Sequence, residues 1–260
     1  MKKMVFGFMA LLICIAMISC DKKKAQLKLA AEKANLECPI DMGTVGSVVS
    51  ITYDEDENVF AYEYNMKEDF NNIEVLSGYP ELMKESTMIN ISNDKGDLRK
   101  TTEKVIEAEG SFKFIYHGMK TGATMEITLN NEELKTALDW NATARDAIEI
   151  ELKMTNLQMP IVAGKGLMVT SVSIIGNDVT YITEMDPNLY QLSQLSQNGD
   201  AAKYGIINYV RNCGPVERNF LKKIADANMN LTYHYCYAGN PDGEACDVTL
   251  SNEDLSEILR

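Results

Sequence analysis

The sequence predicts an α+β fold made twice. Each copy is a two-layer domain with an antiparallel four-stranded sheet and helices on one face, in the order β-β-α-α-β-β-α. Two observations carry this prediction. The phrase TLNNEELKTAL, Thr128 to Leu138, returns as TLSNEDLSEIL, Thr249 to Leu259, at an offset of 121 residues. In addition, long polar stretches separate the hydrophobic positions, which suits sheets buried on a single side.

The repeat extends outward from that phrase. NLECPIDMG, Asn35 to Gly43, aligns with NLQMPIVAG, Asn156 to Gly164, at the same offset of 121. Met66, Phe70, Ile73 and Leu76 fall on Met185, Leu189, Leu192 and Leu195 at an offset of 119, and Phe112, Phe114 and Tyr116 fall on Leu231, Tyr233 and Tyr235. The length changes sit at expected turns, where packed elements do not resist them. The implied organisation is a leader over 1–19, a tether and helix over 20–34, a first copy over 35–139, a linker over 140–155 and a second copy over 156–260.

Within each copy the elements follow in order. SVVSITYDEDENVFAYEY holds two β-branched or aromatic runs around a polar turn, a hairpin, and its counterpart turns at Gly176-Asn177-Asp178. A helical region follows: Ser77 is placed to cap with Pro80 near the first turn, and in the second copy Gly199 stands past the helix end. LRKTTEKVIEAEG and PVERNFLKKIADAN supply another helix per copy. The closing hairpins are SFKFIYHG with TMEITL, and LTYHYCYAG with CDVTL. The opening phrase ends the last strand and starts a short helix, with Asn130 or Ser251 as cap and Glu133 or Asp254 in the capping-box place. RDAIEIELKMTN, before the second copy, fits a helix or an alternating strand equally well.

Composition narrows the function classes. The chain carries a net charge of −13, and removing Lys2 and Lys3 with the leader takes it to −15. That argues against a nucleic-acid partner, because phosphate binding relies on basic patches, and against adhesion to anionic lipid by charge alone. Lys2 and Lys3 precede an apolar run from Met4 to Ile18, shorter than the roughly 20 residues that a permanent span requires. The run ends in MISC, Met17 to Cys20, which resembles the lipobox of bacterial lipoproteins, with Met17 where that family has Leu. The resemblance implies cleavage before Cys20, a diacylglycerol thioether and an N-acyl chain on Cys20, and residence in the cell envelope on the inner or outer membrane. The repeat pattern also loosely resembles uncharacterised exported lipoproteins of Bacteroidetes, for which no activity is implied.

Candidate chemistry is sparse. His117 and His234 are the two histidines, both on the strand face opposite the apolar positions, and read as surface strand residues. DEDEN, Asp54 to Asn58, lacks the alternation and Gly of a calcium loop and reads as a solvated turn. Tyr233, Tyr235 and Tyr237 alternate on one face, as a sugar platform or, better, as helix-facing core. Cys236 and Cys246 flank a turn and are the candidate disulfide pair. Pairing Phe114 with Ile127, however, implies Tyr233 with Val248 and Tyr235 with Cys246, which turns Cys236 to the other face. No catalytic, cofactor or metal residues are assigned. The expected function is a non-enzymatic, lipid-anchored envelope protein binding a protein or polysaccharide through two related domains. The alternative is a hydrolase or hydrolase accessory with a site between the copies.

Overall fold

The computed structural model describes residues 22–68 and 72–260; Cys20, the apolar run before it and Phe70 lie outside them. The chain divides into two compact units, with the boundary between Asn141 and Ala142. In the first, a helix over 22–35 (α1) leads to β1 (Ile40–Asp41), β2 (Gly46–Asp54) and β3 (Val59–Met66). Three helices follow, α2 (Ile73–Leu76), α3 (Pro80–Asn93) and α4 (Asp97–Glu107), then β4 (Ser111–Gly118), β5 (Thr124–Leu129) and α5 (Asn131–Asp139). The second unit repeats the series. It runs α6 (Ala144–Asn156), β6 (Ile161–Gly164), β7 (Leu167–Ile175), β8 (Asp178–Met185), α7 (Leu192–Gln197), α8 (Gly199–Asn212), α9 (Pro215–Asp226), β9 (Asn230–Tyr237), β10 (Asn240–Leu250) and α10 (Asn252–Leu259).

The α+β class and the two similar halves are as expected, but the sheets differ in detail. Each has five strands, ordered β1-β2-β3-β4-β5 and β6-β7-β8-β9-β10. The extra strand spans two residues in β1 and four in β6, too short to show a period of two. The central pair is parallel rather than antiparallel, with Tyr62 beside Phe114 and Tyr181 beside Tyr233. Two hairpins are thus joined by a helical crossover, which returns the chain to the end where it began. The crossover holds three helices rather than two. Gly199 opens α8, and Asn198 serves both as the cap ending α7 and as the cap starting α8. Ser77 ends α2, its hydroxyl donating to the Glu74 carbonyl at 2.7 Å, while Tyr79 stands before Pro80 at the start of α3.

Each unit has its own core on the helix side of its sheet. In the first, Phe60, Phe112, Phe114, Ile127 and Leu129 pack with Leu27 and Ala31 of α1, Ile91 of α3, Val105 of α4 and Leu134 of α5. In the second, Val179, Leu231, Val248 and Leu250 pack with Ile148 and Leu152 of α6, Val210 of α8, Ile224 of α9 and Leu255 of α10. The segments read as lead-in and linker therefore supply core residues. The ambiguous RDAIEIELKMTN is helix because Thr143 and Asp146 form a capping box, fixing the first turn. The closing phrase is explained as expected: Asn130 with Glu133, and Ser251 with Asp254, are both capping boxes. Each acidic residue also pairs with a lysine of the crossover, Lys84 to Glu133 at 3.0 Å and Lys203 to Asp254 at 2.7 Å.

The last residue of the leading helix ties it to the sheet in both units. The Asn35 side-chain oxygen accepts from the Ile51 amide at 2.9 Å, and that of Asn156 from the Val172 amide at 2.9 Å. The Asn156 amide group also donates to the Val172 carbonyl at 2.7 Å. Both backbone groups sit in the second strand, where β2 and β7 each carry a bulge. Asn156→Ala should lower stability by about 1–2 kcal/mol, since the strand then keeps two unsatisfied groups. Urea unfolding followed by circular dichroism checks this, with Asn156→Asp retaining only the acceptor half of the pairing.

Candidate functional site

The open faces of the sheets carry both histidines. In the first unit, His117 Nε2 lies 2.8 Å from Glu63 Oε1 and its Nδ1 lies 3.1 Å from the Thr124 hydroxyl. Lys113 pairs with Glu126 on the same face at 2.7 Å. In the second, His234 Nδ1 lies 2.6 Å from Asp247 Oδ1, its cross-strand partner. The two histidines occupy equivalent strands but not equivalent positions, since His117 stands beside Asn65 and His234 beside Ile182. Both pairs are half-exposed on the strand surface, where side-chain pairs between neighbouring strands support the sheet. The acidic turn behaves likewise. Asp54 Oδ1 accepts from the amides of Asp56 and Glu57, both at 2.9 Å, and Glu55 pairs with Lys28 at 2.6 Å.

The tyrosines face the helices. Tyr62 stacks on Phe114 with ring centres 5.7 Å apart, and Tyr64 on Tyr116 at 5.1 Å. Tyr181 on Tyr233 repeats the first pair at 5.4 Å. Burial pushes the Tyr62 and Tyr116 hydroxyls up to about 12, although Thr101 and Thr87 hydrogen-bond to them. Burial also raises Tyr181 and Tyr233. Tyr237 gives its hydroxyl to a structural role instead, accepting from the Leu192 amide at 3.0 Å. The register that argues about the cysteines is the one observed: Tyr233 faces Val248, Tyr235 faces Cys246, and Cys236 faces Ala245. Cys38, Cys213, Cys236 and Cys246 are free thiols.

Among the described residues, two concave places on the first unit stand out. A hollow of about 230 Å³ is lined by Pro39, Asp41, Gly46, Ser47, Lys67 and Met119. A larger groove of about 710 Å³ runs along the helix layer, lined by Met88 of α3, by Glu132, Lys135, Thr136 and Asp139 of α5, and by Trp140. Trp140 is the one tryptophan of the chain and is half-buried. Its amide donates to the Thr136 carbonyl at 2.9 Å and its carbonyl accepts from the Ser92 hydroxyl. The groove thus sets one aromatic ring beside two carboxylates and a lysine. Sequence reasoning missed this groove; the available signal was a lone Trp directly after the closing helix.

The smaller hollow is shaped by a carboxylate clasp. Glu68 accepts from the amides of Lys120 and Thr121, each at 2.7 Å, from the Thr121 hydroxyl at 2.8 Å and from the Ile73 amide at 3.0 Å. It thereby holds the β4–β5 turn, which carries Met119, against the start of α2. Burial opposes ionisation here, but the hydrogen bonds outweigh it and bring the carboxyl down to about 2. A depressed folded-state value means that the clasp stabilises the fold fully above the ordinary glutamate range. That contribution is lost as pH falls from about 4.5 toward about 2. Glu68→Gln should therefore flatten the acid limb of the stability–pH curve and cost roughly 1 kcal/mol at neutral pH after solvent screening. Thermal melts between neutral and strongly acidic pH test this.

Residues 21–126 match a family described as a domain of unknown function, DUF8479. No curated protein matches the chain. Among solved structures, a presumed secreted protein from Pseudomonas aeruginosa is 9% identical with a TM-score of 0.35, the match covering 45% of this chain and 96% of that one. The pilotin of the Vibrio vulnificus type 2 secretion system is 14% identical with a TM-score of 0.31, covering 44% of this chain and 96% of that one. The type II secretion pilotin of Vibrio cholerae is 15% identical with a TM-score of 0.29, over the same shares.

Proposed function

We propose that this protein is a cell-envelope lipoprotein, acylated at Cys20, whose two related α+β copies engage a protein or polysaccharide partner. The observation that carries the reading is the join between anchor and fold. The apolar run and MISC motif end at Cys20, and α1 is helical from residue 22, with Leu27 and Ala31 already in the core. Acyl chains on Cys20 would set the first copy directly at the membrane surface, and several buried chains hold a protein there durably. Two like domains on one chain raise avidity for a partner that presents repeated epitopes. The groove at Trp140 is the binding surface we favour, because an aromatic anchor beside charged rim residues suits a protein partner. The His117–Glu63 and His234–Asp247 pairs lie on open strand faces, which favours a role in strand pairing over the hydrolase alternative.

Metabolic labelling with radioactive palmitate tests the anchor. Label should enter the full-length chain and be absent from Cys20→Ala; an unlabelled wild-type protein overturns the lipoprotein reading. For the groove, a photoreactive residue in place of Lys135 should yield discrete adducts in intact cells. Trp140→Ala should reduce those adducts about tenfold or more while leaving the thermal transition in place.

A further inference from the structure

The duplication supplies an internal control for α1. By the 3.6-residue period, Lys22, Gln26, Leu29, Lys33 and Leu36 share one stripe, opposite the core residues Leu27 and Ala31. Leu36 lies in the turn that ends the helix. The stripe is open: Leu29 is 67% exposed and Leu36 85% exposed, with Lys22 and Lys33 exposed beside them. At an offset of 121, the equivalent positions in α6 and its two caps are Thr143, Ala147, Ile150, Met154 and Leu157. That stripe is apolar after its first residue, with Ile150 3% exposed and Ala147, Met154 and Leu157 half-buried. The two copies thus keep large aliphatic residues at the positions of Leu29 and Leu36. They differ where α1 places Lys22, Gln26 and Lys33.

Charge separates the helices further. Residues 22–35 hold five lysines and one glutamate, in a chain whose net charge is −13. Helix α6 holds Arg145 and Lys153 against Asp146, Glu149 and Glu151. Three of the α1 lysines are engaged on the protein. Lys23 donates to the Glu107 carbonyl and Lys24 to the Glu55 carbonyl, both at 3.0 Å, and Lys28 pairs with the Glu55 carboxylate at 2.6 Å. Lys22 precedes Leu29 on the stripe instead, and Lys33 lies between Leu29 and Leu36.

We propose that this stripe of α1 lies on the membrane, with Leu29 and Leu36 in the acyl boundary and Lys22 and Lys33 against anionic lipid headgroups. The inference rests on the acylation of Cys20, two residues before the stripe begins. Exposed leucines bordered by lysines fit an interfacial helix, whose long basic side chains reach back to the headgroup layer. Acyl chains alone fix where the protein is; the stripe fixes which face of the first copy meets the bilayer.

Lysine acetylation footprinting on the acylated full-length protein tests this, read by mass spectrometry in vesicles of phosphatidylcholine with and without phosphatidylglycerol. Lys22 and Lys33 should label about fivefold more slowly on the anionic vesicles, while Lys165, an exposed lysine of the second unit, keeps its rate. Leu29→Glu with Leu36→Glu should abolish the protection without removing the acyl chains. Equal labelling in both vesicle types overturns the proposal. So does protection that arises in detergent as protein concentration rises, which assigns the stripe to a second copy. The intact mass reports acylation separately, so a missing anchor and an idle helix face give different results.

Discussion

Strands β3 and β4 run side by side in the same direction, as do β8 and β9, and most of the architecture follows from that constraint. A parallel pair requires the chain to travel back the length of the sheet between its strands. The return path here is helical, and it deposits three helices on one face of each sheet. The leading and closing helices join the same layer, so one face becomes core and the other carries the histidine–carboxylate pairs. The aromatic ladder at the parallel seam, Tyr62 on Phe114 and Tyr181 on Tyr233, fills the space directly beneath the crossover. The open face, in turn, is where the two histidines find carboxylate partners without entering any cleft.

The copies also show one fold solving the same local problem twice. The amide that starts α2 or α7, of Ile73 or Leu192, needs an acceptor. The first copy uses Glu68, whose carboxylate occupies the space beside Gly118. A Cβ at that glycine would come within 2.5 Å of the Glu68 oxygen. The second copy has Tyr237 at the position of Gly118, an offset of 119, and its hydroxyl serves as the acceptor. The acceptor differs while each helix start keeps one. The carboxylate version carries the acid-side pH dependence.

Much of this was readable in the residues because it is local. The capping boxes at Asn130 and Ser251 need only four consecutive residues, and the closing hairpin register follows from which side chains must point inward. The parallel seam was not readable, since strand direction depends on a crossover of more than forty residues whose path no short-range pattern records. Helix α8 was missed for a related reason. Gly199 signals a stop, yet Asn198 caps both neighbours and the chain continues as helix toward Ile206 and Val210. The Trp140 groove was hidden because its lining comes from α3 and α5, distant in sequence and joined only by packing.

The position of Trp140 has a spectroscopic consequence. The sole indole lies in the first unit, bonded through its backbone to Ser92 and Thr136, whereas the second unit holds tyrosines and Phe220 but no tryptophan. Excitation at the red edge of the aromatic band therefore follows one half of the molecule, and far-ultraviolet dichroism follows both. Melting curves recorded by the two methods give a direct reading of whether the duplicated halves lose structure together or in succession, without any label or truncation.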